Sequence, residues 1–127
     1  MEPKDHDRAV ALVSHAPQLV SSALAAQLVD AANSDLAISG AGLGDTIRIA
    51  GSDPQLWGDI LQGNAKEVSQ VLSKVRQELA ELYSAFEVQD RNRVELTLRA
   101  GIHAQARIPG KHGGRAHEFD EYNVMIS

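Results

Sequence analysis

At 127 residues and 43% hydrophobic content, the chain has the size of one domain that buries about two-thirds of its unfolded surface; two complete domains do not fit. Its 12 Lys and Arg against 17 Asp and Glu leave a formal charge of -5, which argues against a surface built for nucleic acid. With no cysteine there is no disulfide framework and no cysteine-held zinc, and a cytoplasmic setting is the expectation.

The opening MEPKDHD is acidic where a signal peptide is basic and then apolar. No run approaching about 18 apolar residues is visible, so no membrane segment is expected. From Asp5 to about Ala32, the residues Val10, Val13, Val20, Leu24 and Leu28 recur at helical spacing, with Asp5 placed as the cap. Pro17 lies inside this helix and removes the amide that would bond to the Val13 carbonyl, which predicts a kink between residues 13 and 17. Asn33, Ser34 and Asp35 then break the pattern.

The run from Gly40 to Trp57, GAGLGDTIRIAGSDPQLW, reads as a glycine loop or short helical turn followed by a helix start. Arg48 stands between Ile47 and Ile49, and at a half-buried position its guanidinium calls for a carboxylate or another anion. Asp45 and Asp53 are the intramolecular alternatives. Ser52 with Gln55 as a capping box, or Asp53 as cap with Pro54 in the first turn, starts the next helix. Leu56, Trp57, Ile60, Leu61, Val68, Val71, Leu72, Val75, Leu79, Leu82 and Phe86 then hold a 3.6-residue period, which predicts one long helix. Such a helix measures roughly 50 Å, more than a small domain of about 30 Å covers, so its apolar stripe calls for a second copy of the chain. Another helix is expected from Glu87 to about Arg107 through Val94, Leu98 and Ile102.

Pro109 to Arg115, PGKHGGR, has linker composition, which divides the chain into a helical domain, 1–108, and a tail, 109–127. Tyr122, Val124 and Ile126 alternate as in a strand with nothing in the chain to pair with, so the tail reads as the start of a further domain cut short, or as a strand that pairs with another copy of the chain. The fold class expected is therefore all-α, with a short strand or extended tail at the end.

Several chemical readings compete along this frame. His15, Gln18 and Ser22 share one helical face beside Pro17, either as a polar substrate-binding stripe or as a histidine that caps a free carbonyl or faces water. Trp57 lines a pocket or packs in the core. GAGLG fails as a dinucleotide loop because Asp45 stands where the third glycine belongs and TIRIA follows where a helix is needed. Gly110-Lys111 fails as a phosphate loop, and His103, His112 and His117 have no preset metal geometry, so no metal is expected. No Ser-His-Asp or paired-carboxylate arrangement emerges from the spacing. The residues alone describe a helical ligand-binding or dimerisation module without its own catalytic machinery.

In chain order the motifs are His6-Asp7, Ser14-His15-Ala16-Pro17-Gln18, Gly44-Asp45-Thr46-Ile47-Arg48-Ile49-Ala50, and Ser52-Asp53-Pro54 with Trp57. As a set they resemble the C-terminal helical domain of prephenate dehydrogenases, over about residues 5 to 86. Ala106 to Gly114 also looks like the connector that leads, in some bacterial members, to an ACT regulatory domain. The resemblance implies an oxidoreductase of tyrosine biosynthesis that oxidatively decarboxylates prephenate, or arogenate, to a 4-hydroxyphenyl product with NAD or NADP. It places the cofactor site and the main catalytic histidine in a Rossmann domain outside this sequence, so that neither catalytic nor cofactor-binding residues are expected here and the chain alone is expected to be inactive. This portion would form the homodimer and one wall of the substrate cleft. Arg48 would bind a prephenate carboxylate, and His15, Gln18 and Trp57 would face the substrate. Members often carry a second histidine where this chain has Gln18, and glutamine hydrogen-bonds without titrating near neutrality. The alternative is a non-catalytic helical dimer acting as an interaction or regulatory module.

Overall fold

The computed structural model describes residues 1–109; the linker from 110 onward and the strand expected at 119–126 lie outside them. Six helices and no strand make up the described residues, as the all-α expectation required. They belong to two compact units, Met1–Val71 and Leu72–Ser127.

The first unit is built on α1, Pro3–Ala26. Pro3 occupies its first turn, where a missing amide costs nothing, and Glu2 is the cap residue without a side-chain bond. Asp5 is therefore not the cap; it lies in the first turn, 3.8 Å from Arg8. Ala11–His15 widen into a π turn in which the Ala16 amide bonds to the Ala11 carbonyl, five residues back. That turn lies directly before Pro17 and absorbs the missing donor, so the expected disturbance takes the form of a bulge with the helix continuing through it. The helix ends at Ala26, earlier than the apolar pattern suggested. Tight bonds from Gln27 to Leu24 and from Leu28 to Ala25 close it. By length and composition α1 is long and apolar enough to cross a membrane, contrary to expectation. Its buried stripe, however, is polar: His15, Gln18 and Ser21 are each bonded to other segments of the unit, as in a central helix.

A short α2, Asn33–Ala37, leads to α3, Ala41–Ile47, and a 3₁₀ turn, Arg48–Gly51. The glycine segment is thus helical and not a loop: Gly40 is its cap residue, and a Cβ built on Gly42 or Gly44 meets nothing within 4 Å. Asp53 accepts from the Gln55 amide at 3.3 Å and starts α4, Pro54–Gln62; Ser52 is used elsewhere, so the capping box does not form.

The single long helix is divided. α4 stops at Gly63, whose amide bonds to Asp59, and Asn64 turns the chain into α5, Ala65–Glu87. The hydrophobic period runs across the break unchanged, which is why it was invisible to a count of apolar spacing. At 1.5 Å per residue α5 measures about 35 Å, so helix length alone no longer requires a partner.

In the second unit α5 ends in a reverse turn in which the Asp90 amide bonds to Ala85 at 2.8 Å and the Gln89 amide to Phe86 at 3.3 Å. Gln89 occupies the left-handed position of this turn, φ 56°, which glycine usually fills. Asp90 then caps α6, Arg91–Gln105, by accepting from the Arg93 amide at 3.1 Å. Arg93 ties α6 to α5 through Glu81 at 2.9 Å and Glu78 at 3.3 Å. The Gln77 hydrogen bond and then Arg93 hold the Glu81 carboxyl below the usual carboxylate range.

Little apolar surface is sealed. Ala11, Ala16, Val68 and Ala85 are the buried hydrophobic residues described, and no large side chain is fully buried. Leu79, Tyr83 and Phe86, at helical spacing on α5, are 59%, 66% and 66% exposed. Leu12, Val13, Val20 and Leu24 on α1 and Leu98 and Ile102 on α6 are also exposed.

Candidate functional site

His15, Gln18 and Ser22 fall on one face as helical spacing predicted; Gln18 reaches the 3₁₀ turn, while His15 meets Trp57 of α4 and Asn64. Gln18 is 6% exposed and donates from Nε2 to the Ile49 carbonyl at 2.9 Å, with Ser22 Oγ 3.4 Å away. Ser52 Oγ donates to the same Ile49 carbonyl at 2.7 Å and lies 3.4 Å from Gln18 Oε1. One residue turn further along α1, Ser21 Oγ donates to the Thr46 carbonyl at 2.9 Å. Three side chains therefore anchor the segment on either side of Arg48 to α1.

Arg48 itself is exposed, a correction to the half-buried position expected from its isoleucine neighbours, which are only partly buried. Local geometry is the reason: in a 3₁₀ turn successive side chains point about 120° apart, so Arg48 does not follow the direction of either isoleucine. Neither Asp45 nor Asp53 pairs with it, and no ion pair or side-chain hydrogen bond holds it among the described residues. The backbone around Arg48 is thus held from both sides while its guanidinium is unpaired, the state of a cation available to an external carboxylate.

His15 is 7% exposed, with most of its ring packed inside the unit, and caps no carbonyl among the described residues. Its Nδ1 lies 3.3 Å from Asn64 Nδ2, and its ring meets Trp57 edge to face at 6.0 Å and 86°. Burial pushes the imidazole below the ordinary histidine value of 6.5, and Asp7 opposes that shift only in part, so the ring is neutral near pH 7. Trp57 is half-buried, part core and part surface.

The structure brings His15 and Trp57 together and joins Gln18 to the backbone beside Arg48; the Arg48 side chain contacts none of the three through a hydrogen bond. Asn64, Ser21 and Ser52 were missed. The Gly63-Asn64 pair was a legible turn signal for the first, but each of the three has a partner 25 or more residues away in sequence. The described residues do not fit a dinucleotide: GAGLG opens a short helix with no strand before it. They also contain no cluster of His, Asp or Glu able to hold a metal.

The family profile described as prephenate dehydrogenase, dimerization domain, matches residues 2–100. A prephenate dehydrogenase of Bacillus subtilis is 31% identical over 114 residues, 78% of this chain and 31% of that protein. Among solved structures, Synechocystis arogenate dehydrogenase is similar with a TM-score of 0.74 at 26% identity, over 85% of this chain and 41% of that one. The prephenate dehydrogenase of A. aeolicus, solved with hydroxyphenyl propionate and NAD+, gives 0.71 at 28% identity, over 84% and 38%. The chain spans about a third of the length of the curated relatives it matches.

Proposed function

The chain belongs to the family of prephenate dehydrogenase dimerization domains, and on that premise we propose that it supplies one wall of the substrate cleft, and the homodimer interface, of a cytoplasmic NAD- or NADP-dependent prephenate dehydrogenase. The observation that carries this reading is the Arg48 segment, bonded to Gln18, Ser21 and Ser52 while its guanidinium has no partner among the described residues. A guanidinium on a held backbone recognises a carboxylate in a fixed orientation, which is what a dicarboxylate such as prephenate requires. His15 and Trp57 add a neutral imidazole and an aromatic edge, suited to a polar ring substituent and a carbocyclic ring. The nicotinamide cofactor accepts the hydride in this chemistry, and no residue described here is assigned to it.

The second part of the proposal rests on the exposed leucine, valine and aromatic side chains of α1, α5 and α6, whose area calls for a covering surface. Light scattering is expected to give a dimer mass, and a monomer mass at micromolar concentration overturns this part.

Joined to a nucleotide-binding domain of the family, the chain is expected to support NAD(P)-dependent conversion of prephenate to 4-hydroxyphenylpyruvate, with none from the 127 residues alone. In that enzyme R48A removes a charge-assisted contact of about 1.5–3 kcal/mol, so KM for prephenate rises roughly 10- to 100-fold. An unchanged KM overturns the role of Arg48. Absence of turnover with folded domains favours the interaction-module reading.

A further inference from the structure

The contact behind His15 has no part in the cleft as described so far. Asn64 sits in the break between α4 and α5, with Nδ2 2.8 Å from the Asp7 carbonyl oxygen and 3.3 Å from His15 Nδ1. A backbone carbonyl only accepts, so the amide atom facing it is the nitrogen, and this fixes which way the Asn64 amide is turned. One hydrogen of that nitrogen is directed to Asp7, and the other meets His15 Nδ1. The ring nitrogen there is consequently the acceptor, and the proton of the neutral imidazole resides on Nε2.

We propose that Asn64 is a positioning residue that locks His15 as the Nε2–H tautomer and turns that N–H outward as a hydrogen-bond donor. His15 Nε2 has no hydrogen-bond partner among the described residues, yet no buried side-chain nitrogen or oxygen there lacks a partner, so Nε2 reaches solvent. Trp57, half-buried and edge-on to the imidazole, restricts the ring on another side. Among the described residues the charged group that acts on the ring is Asp7, from its own helix; Asn64 and Trp57, from the elements packed against it, are neutral. Protonating Nδ1 sets an N–H against the amide hydrogens of Asn64, so the arrangement selects the neutral ring. An outward N–H of this kind fits a substrate carbonyl, hydroxyl or carboxylate oxygen and cannot act as a base there. That last role rests on the cleft reading above; the tautomer lock does not.

The test is the nitrogen-15 spectrum of the imidazoles in the whole 127-residue chain near neutral pH, with His15 assigned by its loss in H15Q. The expected wild-type result is a pyridine-type Nδ1 and a pyrrole-type Nε2. In Asn64→Asp the carboxylate accepts in place of donating, so the proton shifts to Nδ1 and the titration of His15 moves to higher pH. Asn64→Ala, which introduces no charge, is expected to show both tautomers. A wild-type ring protonated on Nδ1 overturns the proposal, and so does a folded Asn64 variant with wild-type tautomer and titration. Because no substrate enters this measurement, its failure is separate from failure of the cleft: a locked tautomer in a domain whose assembled enzyme ignores prephenate upholds Asn64 and overturns only the substrate reading.

Discussion

Gln18→Ala is the most direct probe of how α1 holds the Arg48 segment. The substitution removes the 2.9 Å donor to the Ile49 carbonyl and the 3.4 Å acceptor offered to Ser52, from a side chain that is 6% exposed. Ile49 keeps the 2.7 Å bond from Ser52, so neither its carbonyl nor that hydroxyl is left without a partner. The loss is therefore one good hydrogen bond, about 1 kcal/mol, plus the packing of the removed amide and methylenes, for a total of roughly 1–3 kcal/mol. Gln18→Met keeps the length and removes only the hydrogen bonds, so it is expected to cost about 1 kcal/mol, in the lower part of that range. Urea unfolding at one fixed protein concentration measures both variants, since the stability of any self-associating chain depends on concentration. A Gln18→Ala change below about 0.5 kcal/mol, the scatter of neutral surface substitutions, refutes the anchoring. So does a Gln18→Met variant as stable as wild type, because the hydrogen bonds it removes would then contribute nothing.

Three other substitutions test separate elements. Burial lowers the folded pKa of His15 below its ordinary 6.5, so between those two values the unfolded chain binds a proton that the folded chain refuses. Stability is then fully present above that window and falls as pH drops through it; urea midpoints should converge between wild type and H15Q as acid is added, and parallel curves refute the shift. Gly44→Ala lies in a helix interior with open space at its Cβ, and is expected to stabilise by about 0.5–1 kcal/mol. A loss of thermal stability would mean that the glycine run is a loop. Gln89→Gly relieves the left-handed residue between α5 and α6, and is expected to raise the melting temperature by several degrees, about 1 kcal/mol at the most; a lowered value contradicts the turn.

The chemistry-bearing residues were legible because they combine residue type with helical spacing: His15, Gln18 and Ser22 fall on one face in any helix that contains them. Asp53-Pro54 similarly announced a helix start that the structure confirms. The break at Gly63-Asn64 was not read, since apolar residues on both sides continue one period and outweighed the turn signal between them. The exposure of Arg48 was not legible because apolar neighbours in sequence say nothing of its own direction: side chains in a 3₁₀ turn point about 120° apart, and the two isoleucines are themselves only half-buried.

By itself, the sequence determined the all-α class, the family resemblance and the polar stripe beside Pro17, all of which depend on local spacing and residue chemistry. Only the tertiary structure decided which carbonyls Gln18 and Ser21 hold, that Arg48 is exposed, and that Asn64 stands behind His15. Those contacts join residues 25 to 49 positions apart, and no local period encodes a distance between segments that meet only when the chain folds.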